Sequence, residues 1–447
     1  MNEALSELVE ATAIEYGIPG VAVGVWANGQ ERFACHGVTS TEHPLPVDRD
    51  TLFLLGSITK TYTATAVMQL VADGRVELDA AVRHYLPELE LAAEITVLHL
   101  LAHTSGLDWG LIVDTGEGDD ALARYVAQVA ELPVLAPPGA RASYSQAGYN
   151  VAGRIVEKVT GLTYERVVLS RSCEPLGMAH TFFARDDIMT RRFAVGHNRG
   201  DDGTLSIARL WRRSRGDNPG GGMASSVADQ LRWARCHLGE GGAVLSSELL
   251  QRMKEPTVAL RGSNLGDAIG IGWFLRDVDG VRTFGHAGSA NGQFAELLAV
   301  PDRKFAVVAL ANAGPNGIPF NRAVVRWALH AYLGLTERDP QPLAFAEARA
   351  RELVGSYHND VMTLVIGTTG TGLWLEVRIK PEIRAAADKE LPPDHAPFDF
   401  GLLPGDTGEY IITSGAFAGQ RGFFTRDPSG AIIGIDLAGR LFHRTPP

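Results

Sequence analysis

The sequence predicts an α+β fold: an antiparallel β-sheet flanked by helices, with an inserted helical subdomain, followed by a small all-β barrel domain. Three observations predict it. β-type runs stand near the start and around residues 293–310, helical periodicity fills most of the stretch between them, and short β-type runs separated by turn residues occupy the C-terminal stretch. With 447 residues, 45% apolar and 21% charged, the chain can bury more than one core.

Each element has its own warrant. Leu5, Leu8, Val9 and Ala13 share one side of a helix at the N-terminus. Gly20–Trp26 and Glu31–His36 flank Asn28-Gly29, the dipeptide that favours a two-residue hairpin turn. Gln293–Val300 and Phe305–Leu310 flank Pro301-Asp302-Arg303-Lys304 and form a second hairpin. Between them Tyr62–Ala72, Leu122–Ala130, Gly148–Val159 and Val227–His237 carry helical periodicity. Strands at both ends with helices between predict that the N- and C-terminal strands pair in one sheet. Thr336–Pro342 is a polar, proline-bearing linker, so a first domain is expected over residues 1–337 and a second over 346–447. Leu364–Ile366, Leu373–Ile379, Glu409–Thr413, Gly422–Thr425 and Ile432–Leu437 are its expected strands.

Composition excludes several functions. A net charge of −11 and a pI near 5.7 argue against nucleic acid as a partner. No apolar stretch is long enough to cross a membrane, and Met1–Gly17 lacks the basic and apolar regions of a secretory leader, so a cytoplasmic protein is expected. Cys35, Cys173 and Cys236 lie far apart, neither a disulfide framework nor a zinc site, and are expected to be small buried side chains. No P-loop, G-x-S-x-G or H-E-x-x-H is present, and no metal or organic cofactor is implied. His99 and His103 are spaced by four, but Leu100 stands where a zinc protease needs its glutamate, so both are expected to be structural.

Three short segments carry chemistry. Ser57-Ile58-Thr59-Lys60 precedes a helix that stops at Asp73-Gly74. Positions i and i+3 of a helix share a face, so the Lys60 amine can reach the Ser57 hydroxyl, and a helix start leaves the Ser57 N–H free for an oxyanion. A serine hydroxyl needs a neighbouring base, and lysine serves as one when burial disfavours its charge. Tyr144-Ser145-Gln146 follows the turn at Pro137-Pro138-Gly139 and precedes a helix, so the Tyr144 phenol can project into a cleft as a second base. His286-Ala287-Gly288 stands just before the second hairpin; Gly288 permits close approach of a substrate, and the Ser289 N–H can supply the other half of an oxyanion hole. His286 is expected to hold the tyrosine hydroxyl or to polarise the leaving group.

In this order and spacing the segments resemble the serine hydrolases of the class C β-lactamase and penicillin-binding-protein superfamily, which use S-x-x-K, Y-x-N and then K-T-G or H-x-G. The resemblance spreads over most of residues 1–335. His99–Leu107 looks like the family's "LLTHTSGL" segment, Ser145–Gly161 like "SNAGYNLLGRIVEKVTG" and Glu174–Met178 like "EPLGM"; Gly220–Ser225 and Gly270–Trp273 also match. The resemblance implies that Ser57 forms an acyl-enzyme, that Lys60 and Tyr144 share the proton transfers with either as base, and that the Ser57 and Ser289 N–H groups hold the oxyanion. Two departures stand out. Gln146 replaces the usual Asn, which touches the lysine and the substrate amide. His286 replaces the lysine of K-T-G, which weakens the carboxylate anchor of a true β-lactamase; the arginine-rich stretch Arg209–Arg215 reads first as a solvated loop face, with a replacement anchor as the alternative. The C-terminal unit resembles the lipocalin-like domain of some family peptidases and esterases, a cap over the cleft or a surface for a homo-oligomer.

The expected function is a serine-dependent hydrolase of an ester or amide, a small molecule or a D-amino-acid or peptide derivative. One alternative is an acyltransferase that passes the Ser57-bound acyl group to an amine or alcohol. A second is a non-catalytic binding or sensing protein that keeps the fold.

Overall fold

The computed structural model describes the chain except residues 1, 92–93, 109, 111–112, 201–202, 212–213, 241, 387–393, 395, 406–407 and 446–447. The N-terminal helix is α1 (Asn2–Tyr16), and the first hairpin is β1 (Gly20–Ala27) with β2 (Gln30–Gly37). Asn28 and Gly29 both take positive φ (53° and 73°), the turn that suits the strands' twist. Past the helical region come β3 (Val258–Ser263), β4 (Gly266–Ile269), β5 (Phe274–Val278), β6 (Val281–Ala290), β7 (Gln293–Val300) and β8 (Phe305–Ala311). These eight strands form one sheet in the order β2-β1-β8-β7-β6-β5-β4-β3. The expected pairing of chain ends is met: Val21 opposes Ala311 and Trp26 opposes Ala306, antiparallel.

Every residue of β1 is buried, because the sheet is covered on both faces. Alternation divides its side chains between two cores. Val21, Val23 and Val25 pack with Leu5 and Val9 of α1 and with Phe320 and Val324 of α6 (Gly317–Leu333). Ala22 and Trp26 face the larger core, which holds α2 (Thr59–Ala72), α3 (Ala121–Val129), α4 (Gln146–Thr160) and α5 (Val227–Arg235). Tyr62 of α2 stacks on Trp233 of α5 with centroids 3.8 Å apart, and the Trp233 Nε1–H donates to Thr61 Oγ1 at 2.9 Å. Such a stack adds about 0.5–1.5 kcal/mol beyond its buried area. It fixes α2, and with it the turn that carries Ser57.

The C-terminal unit is a closed eight-stranded barrel in simple up-and-down order: β9 (Gly355–His358), β10 (Met362–Thr368), β11 (Leu373–Ile379), β12 (Phe398–Leu402), β13 (Glu409–Ile412), β14 (Arg421–Arg426), β15 (Ile432–Leu437) and β16 (Arg440–Arg444). Closure is made by β9 on β16, with Tyr357 opposite Arg444. A barrel of this size is filled by its own side chains, here Leu364, Leu375, Phe400, Tyr410, Phe424 and Ile435. Cys173 and Cys236 are buried as expected, whereas Cys35 on β2 is only partly covered. Among the described residues no helix is long and apolar enough to cross a membrane.

Candidate active site

Ser57 lies inside a 3₁₀ turn, Gly56–Ile58, that runs straight into α2. Gly56 takes φ of 52°, and a Cβ there would sit 2.5 Å from the Ser289 carbonyl oxygen. A Cβ on Gly288 would lie 1.9 Å from the Leu55 oxygen and 2.8 Å from the Ser57 nitrogen. Glycine on both sides therefore lets β6 run against the turn that carries the serine. β6 also overshoots its neighbour: β5 pairs it only as far as Gly285, opposite Phe274, so residues 286–290 present a free strand edge beside Ser57. Ser289 lies on that edge, within the strand and not before it as the sequence suggested.

Lys60 is fully buried one turn along α2. Its Nζ donates to Ser57 Oγ at 3.2 Å, to Gln146 Oε1 at 2.5 Å and to the Gly220 carbonyl at 2.6 Å. It also lies 4.8 Å from the centre of the Tyr144 ring and 5.7 Å from that of Tyr149. Helical spacing brings Lys60 to Ser57; the other contacts come from α4 and the glycine stretch and depend on the tertiary fold.

Tyr144 stands immediately before α4, whose N-cap is Ser145: its Oγ accepts from the Gly148 N–H at 3.0 Å and donates to the Asp108 carbonyl at 2.9 Å. The tyrosine backbone is pinned on both sides, since its N–H donates to the Gly439 carbonyl at 2.7 Å and the Ser145 N–H donates to His103 Nδ1 at 3.0 Å. Burial pushes the Tyr144 phenol up to about 12, against the opposing pull of the Ser57 hydroxyl and the Arg440 charge. Its hydroxyl makes no hydrogen bond of ordinary geometry, and Ser57 stands near enough to favour its ionised form. The His103 ring stacks on Tyr144 at 4.4 Å and backs the tyrosine from within the core.

His286 is buried against Phe274 at 4.5 Å, and its Nδ1 lies 2.6 Å from the Ala287 carbonyl. Burial, then the Lys60 charge, drives its pKa down to about 3, so the ring is neutral. It does not hold the tyrosine hydroxyl: the rings are 6.2 Å apart, and neither His286 Nε2 nor the Tyr144 hydroxyl has a hydrogen-bond partner.

Neither described arginine of the Arg209–Arg215 stretch lines the cavity beside Ser57. Arg212 and Arg213 lie outside the described residues, Arg209 is exposed, and Arg215 is tied to Glu165 through two bonds of 3.2 Å and to Asp119 at 2.8 Å. A different arginine enters the site. The β15–β16 turn of the barrel, Ala438-Gly439, reaches the catalytic-domain cleft, and the Arg440 guanidinium stands 4.8 Å from the centre of the Tyr144 ring. Ser57, Tyr144, His286, Ser289, Ala438 and Arg440 line one cavity of about 790 Å³. Arg440 sits nearly three hundred positions beyond Tyr144, and no local pattern marks it. Gln146, 7% exposed, takes Lys60 on its Oε1 at 2.5 Å and donates from its Nε2 to Asp217 Oδ1 at 3.0 Å. Asp217 and Asn150 join this site without any sequence signal beyond their place next to the motifs. No group of three or more metal-ligating side chains occurs among the described residues.

An antiparallel sheet with helices on both faces, and a helical subdomain set over the free edge of one strand, is the architecture of the serine β-lactamases and transpeptidases. The chain belongs to the beta-lactamase family, whose sequence profile matches residues 3–331. It is 35% identical over 322 residues to penicillin-binding protein 4 of Amycolatopsis lactamdurans, spanning 69% of this chain and 84% of that one. Among solved structures it resembles SurE crystallised with D-Leu, with a TM-score of 0.76, 25% identity and 99% of both chains covered. It also resembles the D-amino acid amidase of Ochrobactrum anthropi SV3, with a TM-score of 0.65, 25% identity, and 74% of this chain and 99% of that one covered.

Proposed function

We propose that this chain is a serine-dependent acyl-enzyme hydrolase that cleaves an ester or amide of a D-amino-acid or peptide derivative. The observation that carries the reading is the buried Lys60 amine 3.2 Å from the Ser57 hydroxyl. In acylation the Ser57 Oγ bonds to the substrate carbonyl carbon while its proton passes to Lys60 or Tyr144. The carbonyl–leaving-group bond then breaks, and the same proton goes to the leaving group. Water attacks the acyl-enzyme in the second half, giving its proton to the same pair and freeing Ser57. The Ser57 and Ser289 N–H groups hold the oxyanion in both halves. The Arg440 guanidinium supplies the cation that the missing K-T-G lysine would have offered, and it suits a substrate carboxylate. The D-configuration is supported by the amidase named above and by the D-Leu with which SurE was crystallised. The two units divide in the linker at 338–345, the first carrying the chemistry and the barrel roofing it.

Acyl transfer is a second reading, favoured by one observation. The barrel turn reaches the cleft at Tyr144 and lines its cavity, which supplies apolar and charged walls on which a bound amine can compete with water. Intact mass after exposure to a fluorophosphonate tests the nucleophile: one adduct on the wild type and none on Ser57→Ala is expected, and an adduct on both would sink it. Product analysis of a D-amino-acid ester with and without an added amine then separates the two readings, since transfer predicts an amide that outcompetes the free acid.

A further inference from the structure

Gln146 differs from the usual family asparagine by one methylene, and the surrounding atoms account for what that methylene does. Its Oε1 accepts from Lys60 at 2.5 Å, and its Nε2 donates to Asp217 Oδ1 at 3.0 Å. The same carboxylate oxygen accepts from Asn150 Nδ2 at 2.8 Å, and Asn150 Oδ1 accepts from the Gly220 N–H at 3.0 Å. The Gly220 carbonyl closes the loop by accepting from Lys60 at 2.6 Å. One buried oxygen thus anchors both arms of the cradle that holds the lysine: directly through Gln146, and through Asn150 to the glycine. A carboxylate only accepts, so it forces the Gln146 NH₂ toward itself and the amide oxygen toward Lys60. Space is set by Gly220, where a Cβ would lie 1.9 Å from Gln146 Nε2.

We infer that Asp217 is a positioning residue for the reaction, orienting Lys60 toward Ser57 through Gln146 and Asn150; this rests on the reading of Ser57 as the nucleophile. It assigns Gln146 to the lysine and not to the substrate, so recognition of the substrate falls to the β6 edge and to Arg440. Asp217 is 6% exposed and Asn150 and Lys60 are fully buried, so water does not substitute for the missing partner when one is removed. The groups that face the lysine from each packed element are Tyr144 and Tyr149 around α4, His103 behind Tyr144 and His286 on β6, with Arg440 over the Tyr144 ring. On the Asp217 side, Arg215 is held by Glu165 and Asp119.

The test follows fluorophosphonate labelling of Ser57 across pH in the full chain, with thermal unfolding as a folding control. Asp217→Ala frees the Gln146 amide and is expected to label about 10–100-fold more slowly. Asp217→Asn keeps an acceptor oxygen but loses the charge, so it should keep most of the plateau rate. Its acid limb should move to lower pH, because an ammonium with one fewer anion nearby gives up its proton more readily. A wild-type rate in Asp217→Ala overturns the positioning role while leaving the nucleophile intact. If Asp217→Ala does not fold, the Asp217→Asn profile decides, and an unmoved acid limb overturns the inference. A wild type that never labels at Ser57 removes the nucleophile and this inference with it.

Discussion

Lys60 has no exposed surface, and each atom its amine meets has a different task. On the proposed mechanism Ser57 is the group to be activated, while Gln146 and the Gly220 carbonyl hold the amine in place. Groups that act as one unit lose their effect together, so single replacements should cost similar amounts. Ser57→Ala is expected to abolish turnover. Lys60→Ala and Tyr144→Phe should each lower kcat/KM by about a thousandfold, roughly 4 kcal/mol of barrier; a near-wild-type rate in either would remove that residue from the proton relay. Arg440→Ala makes a different prediction, because its guanidinium meets the Tyr144 ring and not the serine. It should raise KM for substrates that carry a carboxylate and leave kcat for uncharged esters little changed, a comparison that steady-state kinetics with a matched ester pair can make.

Among the elements, the turn of Gly56–Ile58 and the edge of β6 depend on each other most closely. Gly288→Ala puts a methyl group where the Leu55 carbonyl now stands, 1.9 Å away, and no side chain can yield to make room. The variant should lose about 1–3 kcal/mol of stability and most of its activity, measured by urea unfolding and by fluorophosphonate labelling. Strands and helices with strong local signals were legible in the sequence. The Asn28-Gly29 hairpin, β7, β8 and the helices around Tyr62, Gly148 and Val227 fall within a few residues of expectation. β3, β4 and β5 were not, because Gly262, Gly266, Gly270 and Gly272 break the alternation and the β3–β4 ladder shifts register between Ala259 and Ser263. β9 and β12 were missed for another reason: each is only four or five residues long and owes its stability to barrel closure, a non-local contact. The site divides the same way. Ser57, Lys60 and Tyr144 were legible from motif spacing, whereas Asp217, Asn150 and Arg440 enter through tertiary packing.

At the scale of the whole molecule, two networks set its response to solution conditions. His103, His237 and His286 are buried and their pKa values are lowered, chiefly by burial. A histidine with a lowered folded-state pKa binds its proton in the unfolded chain first. Its contribution to stability is complete above about pH 6.5 and is lost as pH falls toward the folded value, about 3 for His286. Below about pH 6.5 each such histidine should withdraw about 1.4 kcal/mol per pH unit. Asp436 opposes them, because burial raises its carboxyl to about 7, so urea unfolding should show a net fall that steepens when Asp436 is replaced by Asn. A curve that stays flat to pH 4.5 would contradict it. The second network clamps the linker: Arg276 and Arg326 hold Glu337 at 2.8 and 3.0 Å, Arg326 and Arg322 hold Asp339, and Arg322 also reaches the Ala418 carbonyl of the barrel at 2.5 Å. Replacing Glu337 with Gln and Asp339 with Asn leaves three arginines facing one another. Limited proteolysis should then cut within 338–345 faster than in the wild type.

The bond from the Tyr144 N–H to the Gly439 carbonyl joins the proton relay to a turn that belongs to the other half of the chain. The linker is therefore a natural crossover point for recombination. Exchanging everything after it for the barrel of a relative replaces Arg440 and its turn while the β6 edge, Ser57, Lys60 and Tyr144 pass through untouched. New selectivities can be inherited wholesale from a different parent, provided the incoming turn still offers a carbonyl to that single N–H.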